Sequence, residues 1–531
     1  MTHFHSITAF FLLTLPWVNP FAPGPSPPVV PWLVALMATG GLHALGAARG
    51  IASAQPDNST FAQRWAAPFA WALVVAGLVS SMMGLLQYFG LAAALEPWVR
   101  QGTFGEAFAN LRQRNQFASL TNMALAALIW WAMTGRSQAA GAAINTSLHR
   151  RAELPLLLAT ALLAIGNAAS SSRTGLLQLA LLCSLFGLWG GWRRIAVRRI
   201  LLVAAVAYGV SSFALPQMAG LDPFDKGMFA RLRDGDGVCE SRRALWSNVL
   251  DLIALRPWLG WGWGELDYAH YMTLFDSVRF CAILDNAHNL PLHLAVELGV
   301  PLALLVCGGM AWWAWRRKPW QEADPARQMA WAVLAVIGLH SLLEYPLWYG
   351  PFQMAAGCCV MLLWSRPQPR AGVIHVLNRP VAPVLRAQAA SILIAVVSIT
   401  IGTYALWDYH RISQLYLAPQ DRDAAYVNDT IGKARNSWLY SNQVQFAELT
   451  TTPLDRSTAQ YTLDTASTLL HYSPEPRIIE KVIESAVMLG RDEEAVAHLA
   501  RFRAAFPKEH AAWARSNARM PAVVESLNRS K

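Results

Sequence analysis

Long apolar runs, each bounded by a short polar stretch, dominate the chain as far as Trp407. They cover approximately Ile7–Val18, Val29–Ala48, Ala66–Ala94, Phe117–Met133, Leu154–Ala169, Thr174–Trp192, Ile200–Leu215, Leu290–Trp315, Met329–Leu343, Pro351–Trp364 and Ala389–Trp407. A soluble helix keeps its apolar residues on one face, whereas these runs are apolar all round and approach the length that crosses a hydrocarbon core. Backbone in lipid must satisfy its own hydrogen bonds, so each run is expected to be a helix, about eleven spans in all. After Trp407 the pattern becomes polar and amphipathic. Ile478, Ile479, Val482, Ile483, Ala486 and Leu489 share one helical face; Gly490 breaks the pattern; Ala495, Val496, Leu499 and Phe502 form the next face, ended by Pro507. This helix pair over Pro476–Pro507 resembles a tetratricopeptide unit, and a generic helical hairpin fits it equally well. A single pair cannot bury its own face, so further helices are expected between Asp421 and Leu470. The predicted fold class is an all-α polytopic membrane protein: a transmembrane catalytic domain over residues 1–408 with a large loop at 216–289, then a C-terminal α-helical, tetratricopeptide-like domain over 409–531.

Composition agrees with this pattern. Of 531 residues, 54% are hydrophobic and only 14% charged, against roughly 25% charged in soluble domains. Many of the 23 tryptophans sit at run ends, as Trp130, Trp131, Trp189, Trp192, Trp312, Trp313 and Trp364 do, the place of an interfacial aromatic belt. Met1–Ser6 lacks Lys and Arg and no small-residue cleavage site follows, so the first run is read as a retained helix. The net charge of +10 would raise nucleic-acid binding for a soluble protein. Here the basic residues concentrate in alternate connections: Arg49 and Arg64; Arg136, Arg150 and Arg151; Arg193, Arg194, Arg198 and Arg199; Arg316, Arg317 and Lys318; Arg366, Arg370, Arg379 and Arg386. Phe21–Pro28 and Tyr345–Gly350 carry none. The positive-inside rule then puts the N-terminus in the cytoplasm of a bacterial inner-membrane protein, and Glu96–Gln116, Pro216–Asn289 and the C-terminal domain in the periplasm.

Four polar clusters fall on that periplasmic side, and ionisable groups at a membrane face are functional candidates. The first is Arg112-Gln113-Arg114-Asn115-Gln116. The second is Ser170-Ser171-Ser172-Arg173-Thr174, a turn short enough to hold Arg173 at the membrane face. The third joins Arg242-Arg243 and Trp246, the run Arg256-Pro257-Trp258-Leu259-Gly260-Trp261-Gly262-Trp263-Gly264, and Asp285-Asn286-Ala287-His288-Asn289 with His293, Glu297 and Gly299. His293 and Glu297 are i and i+4 on one helix face. His288 lies at or just before that helix's N-terminus, where the helix dipole disfavours imidazolium and keeps a base available. The fourth runs from His340 through Glu344 to Tyr349. Snorkelled arginines and buried polar pairs are the bland alternatives. A Walker loop, a dinucleotide fingerprint and a Gly-x-Ser-x-Gly elbow are absent from the sequence, and the histidines lack the tight spacing of a zinc site. Arginine forks suit phosphate oxygens, and a neutral histidine suits removal of a proton from an attacking hydroxyl. Nucleotide sugars do not occur in the periplasm, so a lipid pyrophosphate is the expected activated donor.

These clusters resemble the bacterial O-linked oligosaccharyltransferases of the PglL type, relatives of O-antigen ligases and polymerases. The resemblance rests on His288-Asn289 with Gly299, Ser172-Arg173-Thr174-Gly175, Arg243-x-x-Trp246 with Pro257-x-x-Gly260-x-Gly262, and, for the protein-glycosylating branch, Gln113-Arg114-Asn115 and the run His340–Tyr349. It implies transfer of a glycan from undecaprenyl pyrophosphate to Ser or Thr of periplasmic or exported proteins, pilin being one candidate, without metal or cofactor. His288 is then the base, Arg173, Arg243 and Arg114 hold the diphosphate, and Gln113, Asn115, Asn289, His293, Glu297, His340 and Glu344 support them. Alternatives are a ligase acting on lipid A–core, a glycan polymerase and, outside enzymes, a lipid transporter. A transporter calls for mid-membrane charges and repeat symmetry, which the sequence does not display. Of the six cysteines, Cys183, Cys307, Cys358 and Cys359 lie within the apolar runs. Cys239 and Cys281 share the long loop and are expected to pair in an oxidising compartment.

Overall fold

The structure is a computed structural model and describes residues 2–21, 24–26, 28–52, 61–139, 146–234, 237–364 and 381–516. Arg366, Arg370 and Arg379 lie outside the described residues, as do the side chains of Arg49, Arg64, Arg136, Arg150 and Arg151. Among the described residues the regular structure is helical throughout. In chain order the helices are α1 (Thr2–Val18), α2 (Val29–Ala52), α3 (Phe61–Tyr88), α4 (Arg114–Ala139), α5 (Thr146–Ala169), α6 (Arg173–Leu188) and α7 (Ile195–Met218). The long loop and the apolar runs beyond it carry α8 (Met228–Asp234), α9 (Arg242–Leu255), α10 (Leu266–Met272), α11 (Leu290–Leu298), α12 (Val300–Arg317), α13 (Pro325–Ser341) and α14 (Gly350–Trp364). Then come α15 (Val381–Ser413), α16 (Thr430–Ala434), α17 (Ser441–Thr451), α18 (Ala459–Leu470), α19 (Pro476–Met488), α20 (Asp492–Ala505) and α21 (Pro507–Ser516).

Among the described residues, five stretches are long and apolar enough to cross a membrane: Val29–Ala48, Trp65–Tyr88, Arg114–Thr134, Ile195–Met218 and Arg386–Tyr416. Shorter apolar helices at Phe4–Val18, Glu153–Ala169, Arg173–Leu188 and Gly350–Trp364 lie on four more of the predicted runs. The protein is therefore an all-α membrane protein in which, among the described residues, five helices rather than about eleven meet the length and composition a span requires. The runs Ala66–Ala94 and Leu290–Trp315 depart from their expected extent in ways the backbone explains. The run Ala66–Ala94 leaves the helix at Tyr88: Gly90 takes φ +71, and Leu91 N–H bonds back to the Leu86 carbonyl at 2.7 Å, closing the helix with a left-handed residue. The run Leu290–Trp315 is two helices, α11 and α12, separated at Gly299 with φ +86.

The chain divides into two compact units, residues 1–235 with 314–406, and residues 236–313 with 407–531. In the first, α4 is central and packs against α3, α5, α6 and α13. Small buried residues, Ala118, Ala124, Ala126 and Ala127 among them, let its neighbours approach closely. A Cβ on Gly77 of α3 would stand 2.6 Å from the Ala124 Cβ. In the second, α9 packs on α11 over Leu245, Val249, Leu252, Ala287 and Val296. The expected helix pair is α19 and α20, turned at Gly490 with φ +70, and α17 and α18 extend the stack upstream. Tyr271 of α10 belongs to the same buried cluster as Leu463, Ile479, Val482, Leu499 and Phe502. Its hydroxyl lies 2.9 Å from His498 Nδ1.

Candidate functional site

The polar residues gather in one cluster in each unit. In the first unit three separate sequence motifs meet. Glu344, just beyond the end of α13, accepts from Gln113 Nε2 at 3.3 Å and from Asn115 Nδ2 at 3.0 Å. The Asn115 carbonyl in turn accepts from Ser172 Oγ at 2.6 Å. Ser172 caps α6, accepting the Gly175 N–H at 3.0 Å, which sets Arg173, half-buried, in the first turn of α6. One turn deeper, His340 Nδ1 lies 2.9 Å from Ser119 Oγ, and Gln178 Nε2 donates to that hydroxyl at 2.7 Å. Glu344 and His340, nearly adjacent on α13 and its end, thus tie α4 and α6 together through polar groups that are largely buried. Buried polar networks of this kind fix geometry because each broken bond strands a partner in a low-dielectric interior. Arg114 points elsewhere, pairing with Glu106 at 3.3 Å. Ser119, Asn122, Asn167 and Gln178 belong to none of the four sequence clusters; amides and hydroxyls at helical spacing inside apolar runs are the signal that could find them.

The second unit holds the histidine segment. Arg243 lies exposed in the first turn of α9, whose cap is Ser241 accepting the Ala244 N–H. Just before it, Cys239 is disulfide-bonded to Cys281, with Cα atoms 5.4 Å apart. Asn289 caps α11, its Oδ1 accepting the Leu292 N–H at 3.1 Å, and Pro291 sits in the first turn, where its missing N–H costs nothing. His288 immediately precedes this cap, with φ +51. His293 and Glu297 lie side by side on α11, Nε2 to Oε2 3.4 Å, both almost fully buried.

The glycine run explains why α11 and α12 are not one helix. Breaking a helix at Gly299 frees the carbonyls of Val296 and Glu297, which must find donors. Trp261 N–H donates to Val296 at 2.9 Å, Gly262 N–H to Glu297 at 2.9 Å, and Val300 N–H to Pro257 at 2.8 Å. The two strands of backbone lie too close for side chains: a Cβ on Gly260 would stand 2.7 Å from the Gly299 nitrogen. Arg256 stacks 4.0 Å over the Trp261 ring, whose N–H donates to the Leu252 carbonyl at 3.0 Å. The Pro257-x-x-Gly260-x-Gly262 run and Gly299 are one structural device that anchors the base of the His288 helix. Beside it, Asn248 holds the segment leading to Cys281, accepting from Phe280 N–H at 2.8 Å and donating to the Val278 carbonyl at 3.2 Å.

Known proteins match over these same stretches. A family described as "O-Antigen ligase" matches residues 158–307, "Protein glycosylation ligase" matches 107–132, and "Virulence factor membrane-bound polymerase, C-terminal" matches 328–521. The first two cover the Ser172–Gly175, Arg243, His288 and Gln113–Asn115 motifs. Over these stretches the chain is therefore similar to O-antigen ligases and to protein glycosylation ligases, the similarity that its motifs implied. The chain is 28% identical over 126 residues to the general O-oligosaccharyltransferase of Acinetobacter baylyi, covering 24% of this chain and 22% of that protein. It is 24% identical over 253 residues to the ComP-specific O-oligosaccharyltransferase of the same organism, covering 48% of this chain and 43% of that one. The similarity spans less than half the length of either relative.

Proposed function

We propose that this protein transfers a preassembled glycan from undecaprenyl pyrophosphate to Ser or Thr hydroxyls of periplasmic or exported proteins, with pilin a candidate acceptor. The acceptor oxygen attacks the anomeric carbon, the bond from that carbon to the pyrophosphate oxygen breaks, and undecaprenyl pyrophosphate leaves. The hydroxyl proton passes to His288. Arg173, Arg243 and Arg114 hold the diphosphate through the planar guanidinium fork; Arg114 exchanges its Glu106 partner for the diphosphate. No step in this scheme requires a metal or a nucleotide. The reading places the catalytic cluster on the periplasmic side of a multi-pass inner-membrane protein, with the C-terminal helices as a tetratricopeptide-like periplasmic unit.

The observation that carries the reading is the presentation of His288: a half-buried imidazole on a left-handed residue at the mouth of a capped helix, inside the stretch matched by the O-antigen ligase family. That same match favours a second reading, transfer to lipid A–core. One experiment separates them. Glycoproteins and lipopolysaccharide are compared in cells carrying the wild-type chain, His288→Ala or neither. Protein-linked glycan is expected with wild type alone, since loss of a general base costs about 10²–10⁴ in rate. Unchanged glycoproteins with shortened lipopolysaccharide in the variant would establish the second reading, and near-normal glycosylation by His288→Ala would remove the base.

A further inference from the structure

His288 adopts a backbone conformation, φ +51, that non-glycine residues take only when surroundings over-determine it. Two side chains supply that constraint. Asn286, 3% exposed, accepts the His288 N–H on Oδ1 at 2.9 Å. Trp246, one turn along α9 from Arg243, donates its indole N–H to the Ala287 carbonyl at 3.0 Å. That N–H and that carbonyl belong to one peptide group. Both poles of the Ala287–His288 plane are therefore gripped, the carbonyl from α9 and the N–H from the turn itself. On the other side of the His288 Cα, the Asn289 side chain is tied to the start of α11, its Oδ1 accepting the Leu292 N–H. The gripped plane on one side and the tethered Asn289 on the other restrict the direction of the His288 Cα–Cβ bond.

We propose that Asn286 and Trp246 are positioning residues that lock the Ala287–His288 peptide plane and so aim the imidazole at the acceptor hydroxyl. This rests on the reading of His288 as the base. It gives the tryptophan of the Arg243-x-x-Trp246 motif a task distinct from that of the arginine: the arginine side of the motif faces solvent, while the tryptophan orients the histidine. A misplacement of about 1 Å at a reacting group costs about 10²-fold, so the clamp acts on turnover and leaves donor affinity alone.

The test uses the full-length protein in detergent, an undecaprenyl-pyrophosphate-linked oligosaccharide as donor, and an acceptor protein that gains glycan mass in cells expressing the chain. Asn286→Ala is expected to lower kcat about 10–100-fold, with KM for the donor within about twofold of wild type. Asn286→Ser differs from Ala by one oxygen, which restores an acceptor for the N–H two residues on, and is expected to recover much of the loss. Trp246→Phe keeps an aromatic ring, removes the donor and is expected to lower kcat comparably. Because both residues hold one peptide plane, the double variant should lose far less than the product of the single losses. Thiol labelling without reductant checks that Cys239–Cys281 stays closed in each. Wild-type kcat in Asn286→Ala, no gain from Ser over Ala, or multiplicative losses in the double variant would overturn the clamp. Wild-type transfer by His288→Ala, measured alongside, would instead overturn the base assignment on which it rests.

Discussion

Asp267 and His270 sit one turn apart on α10, both buried, and burial drives them in opposite directions. Burial first, then the Asp285 and Glu265 carboxylates, push Asp267 up to about 7. Burial first, then Arg279, hold His270 down at about 3. An acid raised in the folded state contributes stability that is present below about pH 4 and lost as pH climbs through 7. A depressed histidine contributes stability that is present above about 6.5 and lost as pH falls toward 3. In the wild type the two slopes oppose each other between about pH 4 and 6.5. Asp267→Asn keeps an acceptor for the Tyr268 N–H, now 2.7 Å away, and removes one slope. The variant is expected to be more stable than wild type at pH 8, with a difference that shrinks toward pH 4, as thermal unfolding across a pH series would register. An equal difference at every pH would refute the assignment. Neither residue is legible as special in the sequence, because a lone Asp or His in a polar loop reads as solvated. His293 and Glu297 are legible as a pair, since helical spacing alone brings i and i+4 together.

At the scale of elements, the break between α11 and α12 is the feature that hydropathy hides. Leu290–Trp315 reads as one apolar run because lipid-like composition continues across Gly299; what ends α11 is a hydrogen-bonding loop roughly forty residues back along the chain, at Pro257–Gly262. The glycines themselves are visible as a motif, but their partner segment is not, since pairing between distant backbones leaves no local periodicity. The same limit applies in the first unit, where the apolar runs are plain and the Ser119–Gln178–His340 crosslinks between them are not. Gly299→Ala should show how far the loop depends on this junction. At φ +86 an L side chain is strained by about 1–3 kcal/mol, and its Cβ would collide with the Trp258 carbonyl. A lowered unfolding temperature and reduced glycan transfer are expected together; a variant with wild-type melting would mean that the loop tolerates separation from α11.

Across the whole molecule, chain order and packing order differ: the segment bearing His288 shares its compact unit with the C-terminal helices rather than with its sequence neighbours. The amphipathic stripes of α19 and α20 are readable, but the insertion of Tyr271 into their core is not, because one aromatic in a loop announces no partner. The Cys239–Cys281 bond spans 42 residues of this segment, and closing a loop of that length contributes on the order of 4 kcal/mol in the chain-entropy account. Replacing both cysteines by serine should lower the unfolding temperature and weaken turnover more than donor binding; unchanged melting and turnover would make the bond dispensable. The packing of Tyr271 also bears on how the protein is made. A ribosome emits about 5–20 residues per second, so the loop waits on the order of ten seconds or more before α18, α19 and α20 exist to receive it. A Cys239–Cys281 bond closed during that interval would restrain the loop covalently before its packing partners exist.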